Sequence, residues 1–159
     1  MPYAGAEKRV CYHAPMETHA LTGFQAEAAR FACSLVPRAD GATVVALSGD
    51  LGAGKTTFVQ AAAKALGVEE TVVSPTFIIM QAFALPRGPF ARLIHIDAYR
   101  LKSLHELEVL GWCELIAEPS NLIFIEWPEQ VSGALPSSSQ KVTLMGDGDS
   151  RRITYETLS

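Results

Sequence analysis

Residues 43–57 read TVVALSGDLGAGKTT. The first seven form a largely apolar run with β-branched residues at its start, the composition of a buried strand, and Lys55 opens an alanine-rich stretch that reads as a helix to Leu66, with Gly67 as its stop. Between them, Gly49-Asp50-Leu51-Gly52-Ala53-Gly54-Lys55-Thr56 matches G-x-x-x-x-G-K-[ST] in the strand–loop–helix setting that gives this motif its meaning. The residue types follow from the chemistry of a polyphosphate. Several backbone N–H groups must converge on the anion, so the chain has to turn tightly with little side-chain obstruction, and glycine permits that path. The helix that follows presents unpaired N–H groups and the positive end of its dipole. Lys55 adds a mobile positive charge for the β- and γ-phosphates, and the Thr56 hydroxyl is placed to ligate Mg²⁺. Composition alone yields roughly 0.004 such matches in a chain of this length. Asp50, Leu51, Gly52, Ala53, Gly54, Lys55, Thr56 and Thr57 are therefore the expected nucleotide-binding residues.

A phosphate loop needs acids to hold the cation and position water, and in open α/β sheets these lie at the carboxyl ends of the strands. Two further apolar runs end this way: Leu93-Ile94-His95-Ile96-Asp97 and Leu122-Ile123-Phe124-Ile125-Glu126. Either carboxylate could hold the metal, directly or through water, and spacing leaves the roles of Asp97 and Glu126 open. Around these strands the chain reads as an α/β domain. Phe24, Ala28, Phe31, Ala32 and Leu35 recur at helical spacing behind Thr22, the expected N-cap, until Val36-Pro37 stops the pattern. Residues 71–83 read as a loop broken by Ser74-Pro75 and then a strand, which the proline confines to an edge or boundary. Residues 103–116 predict one or two short helices broken near Gly111, and residues 140–145 and 151–158 predict a final antiparallel pair joined through GDGDS. Strands alternating with helices give a fold resembling P-loop nucleotide-binding domains: a mainly parallel sheet flanked by helices, with an antiparallel C-terminal strand pair.

Composition narrows the function classes. The 159 residues are 48% hydrophobic and 19% charged, enough for one packed domain over residues 20–159, with residues 1–19 read as a flexible arm. A net charge of −4 argues against a broad nucleic-acid face. Cys11, Cys33 and Cys113 are odd in number and unpaired in spacing, which argues against a disulfide framework or zinc site and fits a reducing, cytoplasmic setting. No apolar run approaches the ~20 residues of a membrane span.

Other residues carry weaker signals. Ser74-Pro75-Thr76 stands where phosphate-loop proteins place a switch segment, and a turn leading into a strand explains it equally well. Arg100 is a candidate for phosphate or partner contact, or for a surface ion pair. Trp127 either lines the site or packs in the core. His95 alternates with Ile94 and Ile96 and reads as structural rather than as a base. Cys113 reads as a small buried residue.

Taken together, GDLGAGKTT, SPTF, HIDAYRL, ELEVLGW and IEWPEQ, in this order, resemble the TsaE (YjeE) family over about residues 20–145. The resemblance implies a compact ATPase with ATP in the loop, Mg²⁺ held through Thr56 and Glu126, Asp97 as a further active-site acid, and Lys55 acting in catalysis. It implies a switch-like role for Ser74 to Phe77 and a place beside the nucleotide for Trp127. It also implies partner subunits TsaB and TsaD, which together modify an adenosine next to the anticodon of tRNAs reading codons that begin with A. This chain would act on tRNA indirectly, cycling the assembly. Phe77 stands where the family often has Tyr, and the stretch before His19 is longer than usual. Three other readings share the loop. A small-molecule P-loop kinase needs an arginine-bearing lid, and no long insertion offers one. A GTPase needs an Asn-Lys-x-Asp base reader, which the sequence lacks. A non-catalytic nucleotide-binding subunit would bind without turnover.

Overall fold

The computed structural model describes residues 10–12, 14–18, 20–73 and 78–158. Its centre is β3 (Thr43–Gly49), which pairs in parallel with β6 (Asn121–Glu126) on one side and β7 (Gln140–Asp147) on the other. β5 (Arg92–Asp97) lies parallel to β6, with Asp97 level with Glu126. These strands are nearly continuous apolar runs because helices or turns cover both faces. Leu122 and Phe124 of β6 join one core with Leu47, Phe58 and Phe24, while Ile123 and Ile125 join the other with Ile94, Ile96, Leu107 and Trp112.

The first core is closed by α1 (Leu21–Ser34) and α2 (Lys55–Ala65), where the Phe58 ring meets Phe24 edge-on at 6.0 Å and Phe31 at 5.8 Å between ring centres. Phe24, Ala28, Phe31 and Ala32 form the buried stripe that the spacing predicts. The helix starts earlier than expected: Ala20 is its N-cap and gives no side-chain hydrogen bond, so Thr22 lies inside the first turn. The second core is closed by α3 (Leu104–Val109), α4 (Trp112–Ala117) and a 3₁₀ segment (Pro128–Ala134). The break between α3 and α4 falls at Gly111, whose φ of 82° suits glycine. Cys113, expected to be buried, is exposed on α4, as is Cys33 on α1. A six-residue helix offers too few turns for periodicity to assign its faces.

The edges are antiparallel. β8 (Ser150–Leu158) pairs with β7 as the sequence predicts. β4 (Met80–Ala84) forms the opposite edge and runs antiparallel to β5, an orientation the strand pattern alone does not reveal. Within the stretch read as an arm, β1 (Val10–Tyr12) and β2 (Met16–Thr18) are strands, both paired antiparallel with β8. Three residues are too few to show alternation, and their order comes from the free hydrogen-bonding groups of the β8 edge. The full order is β1-β8-β7-β3-β6-β5-β4, with β2 also on β8. Among the described residues no helix is long and apolar enough to cross a membrane.

Candidate nucleotide site

The site is built where β3, β5 and β6 end. Gly49 closes β3 with its Cα against the Leu144 carbonyl: a Cβ there would stand 2.5 Å from that oxygen, so only glycine allows β7 to approach. At the other end of the loop, Gly54 caps α2 with φ 103°, under the Phe24 ring. The intervening turn leaves Leu51 81% exposed at its tip.

Lys55 is folded back into this turn. Its Nζ donates to the carbonyls of Gly49 (2.6 Å) and Asp50 (2.8 Å), and it lies 4.1 Å from the centre of the Trp127 ring. Burial lowers the pKa of the ammonium, and the carboxylates of Glu126, Glu129, Asp97 and Asp50 act against that fall. Trp127 holds this position through its backbone. Its φ of 56° makes it the only non-glycine residue among the described residues with positive φ, and its ring also packs on Tyr99 at 4.9 Å.

The expected acids converge here. Thr56 Oγ1 donates to Glu126, 2.9 Å from Oε1 and 3.3 Å from Oε2. Glu126 is 3% exposed. Asp97 sits beside it on the next strand and accepts from the Tyr99 N–H at 3.0 Å. Burial raises the Asp97 carboxyl above its ordinary pKa; the Tyr99 N–H lowers it, and the Glu126 charge raises it further. Lys55, Thr56, Asp97, Tyr99, Glu126 and Trp127 line a cavity of about 270 Å³. A second cavity, of about 490 Å³, adjoins the loop at Gly52, Gly54 and Thr57 and is walled by Leu21, Phe24, Asp149 and Arg151.

Leu51, Gly52, Gly54 to Thr57, Asp97 and Glu126 thus line one crevice; of the other expected loop residues, Ala53 is buried in the core and Asp50 lines neither cavity, while Ser74 to Phe77 lie outside the described residues. The sequence reading missed two contributions. Asp149, in the β7–β8 turn, and Arg151, at the start of β8, wall the larger cavity beside the loop, which no local motif signals. His95 is fully buried with Nε2 2.7 Å from Glu126 Oε1, so its polar partner is the candidate metal ligand itself. The alternation in β5 does place His95 on the face of Asp97, a signal that points here once β6 is known to lie alongside.

The arrangement has known counterparts. The TsaE family profile, described as "Threonylcarbamoyl adenosine biosynthesis protein TsaE", matches residues 23–154. The chain is 37% identical over 124 residues to the tRNA threonylcarbamoyladenosine biosynthesis protein TsaE of Rickettsia bellii, covering 77% of this chain and 80% of that one. It is 36% identical over 116 residues to the protein of the same name from Bacillus subtilis, covering 70% and 68%. The crystal structure of Bacillus subtilis YdiB superposes with a TM-score of 0.75 at 26% identity, over 95% of this chain and 88% of that one. The site therefore belongs to an α/β domain of known kind, and this chain is a member of the TsaE family.

Proposed function

We propose that this chain binds Mg·ATP in the crevice and hydrolyses it slowly, to cycle a complex with TsaB and TsaD that forms threonylcarbamoyladenosine in tRNA. The observation that carries the reading is the convergence of Lys55 Nζ, the Thr56–Glu126 pair and Asp97 on one cavity at the loop. The cation fits the donor set: Thr56 and Glu126 offer hard oxygens side by side, and Mg²⁺ is commonly held by one or two protein oxygens together with phosphate. Bound there, Mg²⁺ would neutralise charge on the phosphate oxygens.

The chain's own residues do the rest. Backbone N–H groups from Leu51 to Thr57 and the start of α2 cradle the phosphates. Lys55 exchanges two loop carbonyls for phosphate oxygens, a gain because hydrogen bonds between charged groups are the stronger ones. Asp97 orients the attacking water. The larger cavity, between Phe24 and Arg151, takes the nucleoside. An acidic chain is poorly suited to hold tRNA alone, since affinity for nucleic acid rests on neutralised phosphates, so tRNA is reached through the complex.

Reconstitution of tRNA modification with TsaB and TsaD, with and without this chain and ATP, tests the reading. Modification that continues unchanged when either is left out over repeated turnovers would overturn it. Tight tRNA binding by this chain alone, with no nucleotide-sensitive binding to the two subunits, would overturn the partner assignment.

A further inference from the structure

The Glu126 carboxylate is held from two sides. Thr56 donates to it from α2, and His95 meets it from β5. Towards an ionised carboxylate, which offers only acceptors, His95 Nε2 would be the donor in this contact. Both neighbours concentrate on Oε1, at 2.7 and 2.9 Å, while Oε2 has only the longer 3.3 Å contact with Thr56. One carboxylate oxygen is thus committed to the protein and the other is left available. The far side of the ring is also informative. His95 Nδ1 is buried without a hydrogen-bond partner among the described residues, and so is Gln81 Oε1. Gln81 is the residue directly across the β4–β5 pair from His95. Side chains so placed are within reach of one another. Turning the Gln81 amide end for end puts its NH₂ in place of Oε1, so that the residue opposite His95 offers a donor where Nδ1 lacks one. Unpaired buried polar groups are rare in folded proteins, and a role in a site is one reason for them.

We propose that His95 is the positioning residue for Glu126: it fixes the carboxylate so that Oε2 is presented to the cation of bound Mg·ATP, and Gln81 supports the ring from the sheet edge. Partners behind a metal-ligating carboxylate commonly control metal affinity or activity by about 10- to 100-fold. The inference rests on the nucleotide reading above.

The test exploits reach. In His95→Gln the amide nitrogen can stand where Nε2 stands, whereas in His95→Asn it stops near Nδ1. ATP affinity is measured calorimetrically with Mg²⁺ and with EDTA, and the ratio of the two is the quantity compared. His95→Asn is expected to lower that ratio by about tenfold or more while metal-free affinity holds, and His95→Gln to stay within about threefold of the parent. His95→Leu, apolar and of similar size, serves as a second loss variant should His95→Asn fold poorly. An Asn or Leu variant with the parent ratio, or Gln and Asn variants that fall together, overturns the proposal. So does a fall in melting temperature with the ratio intact, which marks a structural role. A parent chain that binds no ATP at all overturns the nucleotide reading instead.

Discussion

Two buried glutamates stand at opposite ends of the molecule's chemistry. Glu27, 5% exposed, lies between α1 and β8 and accepts from Tyr155 Oη at 2.7 Å and from Arg30 through both oxygens, at 2.6 and 2.8 Å. The Arg30 hydrogen bond holds its carboxyl below the usual range despite burial, and the Tyr155 hydroxyl is pushed up. Glu126, 3% exposed, has a hydroxyl and an imidazole as partners, and no arginine among them. The positive charge near it belongs to Lys55, whose ammonium is bonded to loop carbonyls. Burial is the same in both places and compensation is not. Glu27 is fully answered by its own fold, and the stacked Phe31 and Tyr155 rings, 4.9 Å apart, complete that joint. Glu126 is left with an oxygen and a countercharge that a ligand can use. A buried acid with a complete set of partners serves stability, and one with an incomplete set has room for a ligand's groups.

The contrast breaks most sharply in rate. Glu126→Gln is expected to lower Mg²⁺-dependent ATP hydrolysis by about 100-fold or more, ~2.7 kcal/mol at the transition state, with metal-free nucleotide binding little changed. Asp97→Ala should lose hydrolysis as well. Hydrolysis at the parent rate in both would make these acids structural, like Glu27. Lys55→Ala removes the only side-chain cation of the loop, and a charged hydrogen bond is worth about 1.5–3 kcal/mol. Calorimetry should show ATP affinity reduced by roughly 10- to 150-fold, and an unchanged affinity would remove the basis of the site.

At the other glutamate the loss is in stability. Glu27→Leu strands the buried Tyr155 hydroxyl, at about 1–3 kcal/mol. Thermal melts should fall by several degrees with hydrolysis per folded molecule intact, and a selective loss of activity would erase the distinction. Acid sharpens it further. Because the folded Glu27 carboxyl lies below its ordinary 4.5, its contribution is present above that value and is lost as pH falls through the folded pKa. The stability gap between the parent and Glu27→Gln should be constant from about pH 5.5 to 7 and narrow below 4.5. The smallest effect is expected at the surface. Arg152 and Glu17 pair at 2.6 Å but are each about half exposed, at 53% and 51%. Arg152→Ala should change the denaturation midpoint by the equivalent of about 0.5 kcal/mol or less.

What the sequence reveals divides along the same line. The loop is legible because Gly49 to Thr56 is one covalent segment whose spacing encodes its own geometry. Asp97 and Glu126 are legible because each ends an apolar run, and a strand end in this fold faces the crevice. The register that sets the two level is not written in either run. His95 shows the limit: alternation assigns its face, but its partner sits diagonally on a strand from a different part of the chain. Arg151 and Asp149 likewise share a cavity with the loop only once β7 lies beside β3. At α1, Phe24 to Ala32 fix the helix, yet its start at Leu21 has no capping side chain to announce it. β1 and β2 owe their order to a partner at the far end of the sequence.

The central place of β3 has a consequence for how the protein comes to exist. Synthesis delivers β3 and its loop early, but both neighbours of β3, β6 and β7, come late. A nascent chain that has passed Thr57 carries the complete phosphate motif and none of the sheet that shapes it. The Leu144 carbonyl that closes against Gly49 and the Glu126 that receives Thr56 are not yet made. The walls of the crevice are therefore incomplete until β7 has left the ribosome, and pairing across such long separations closes slowly. The crevice therefore takes its shape only late in folding, after most of the chain has been made.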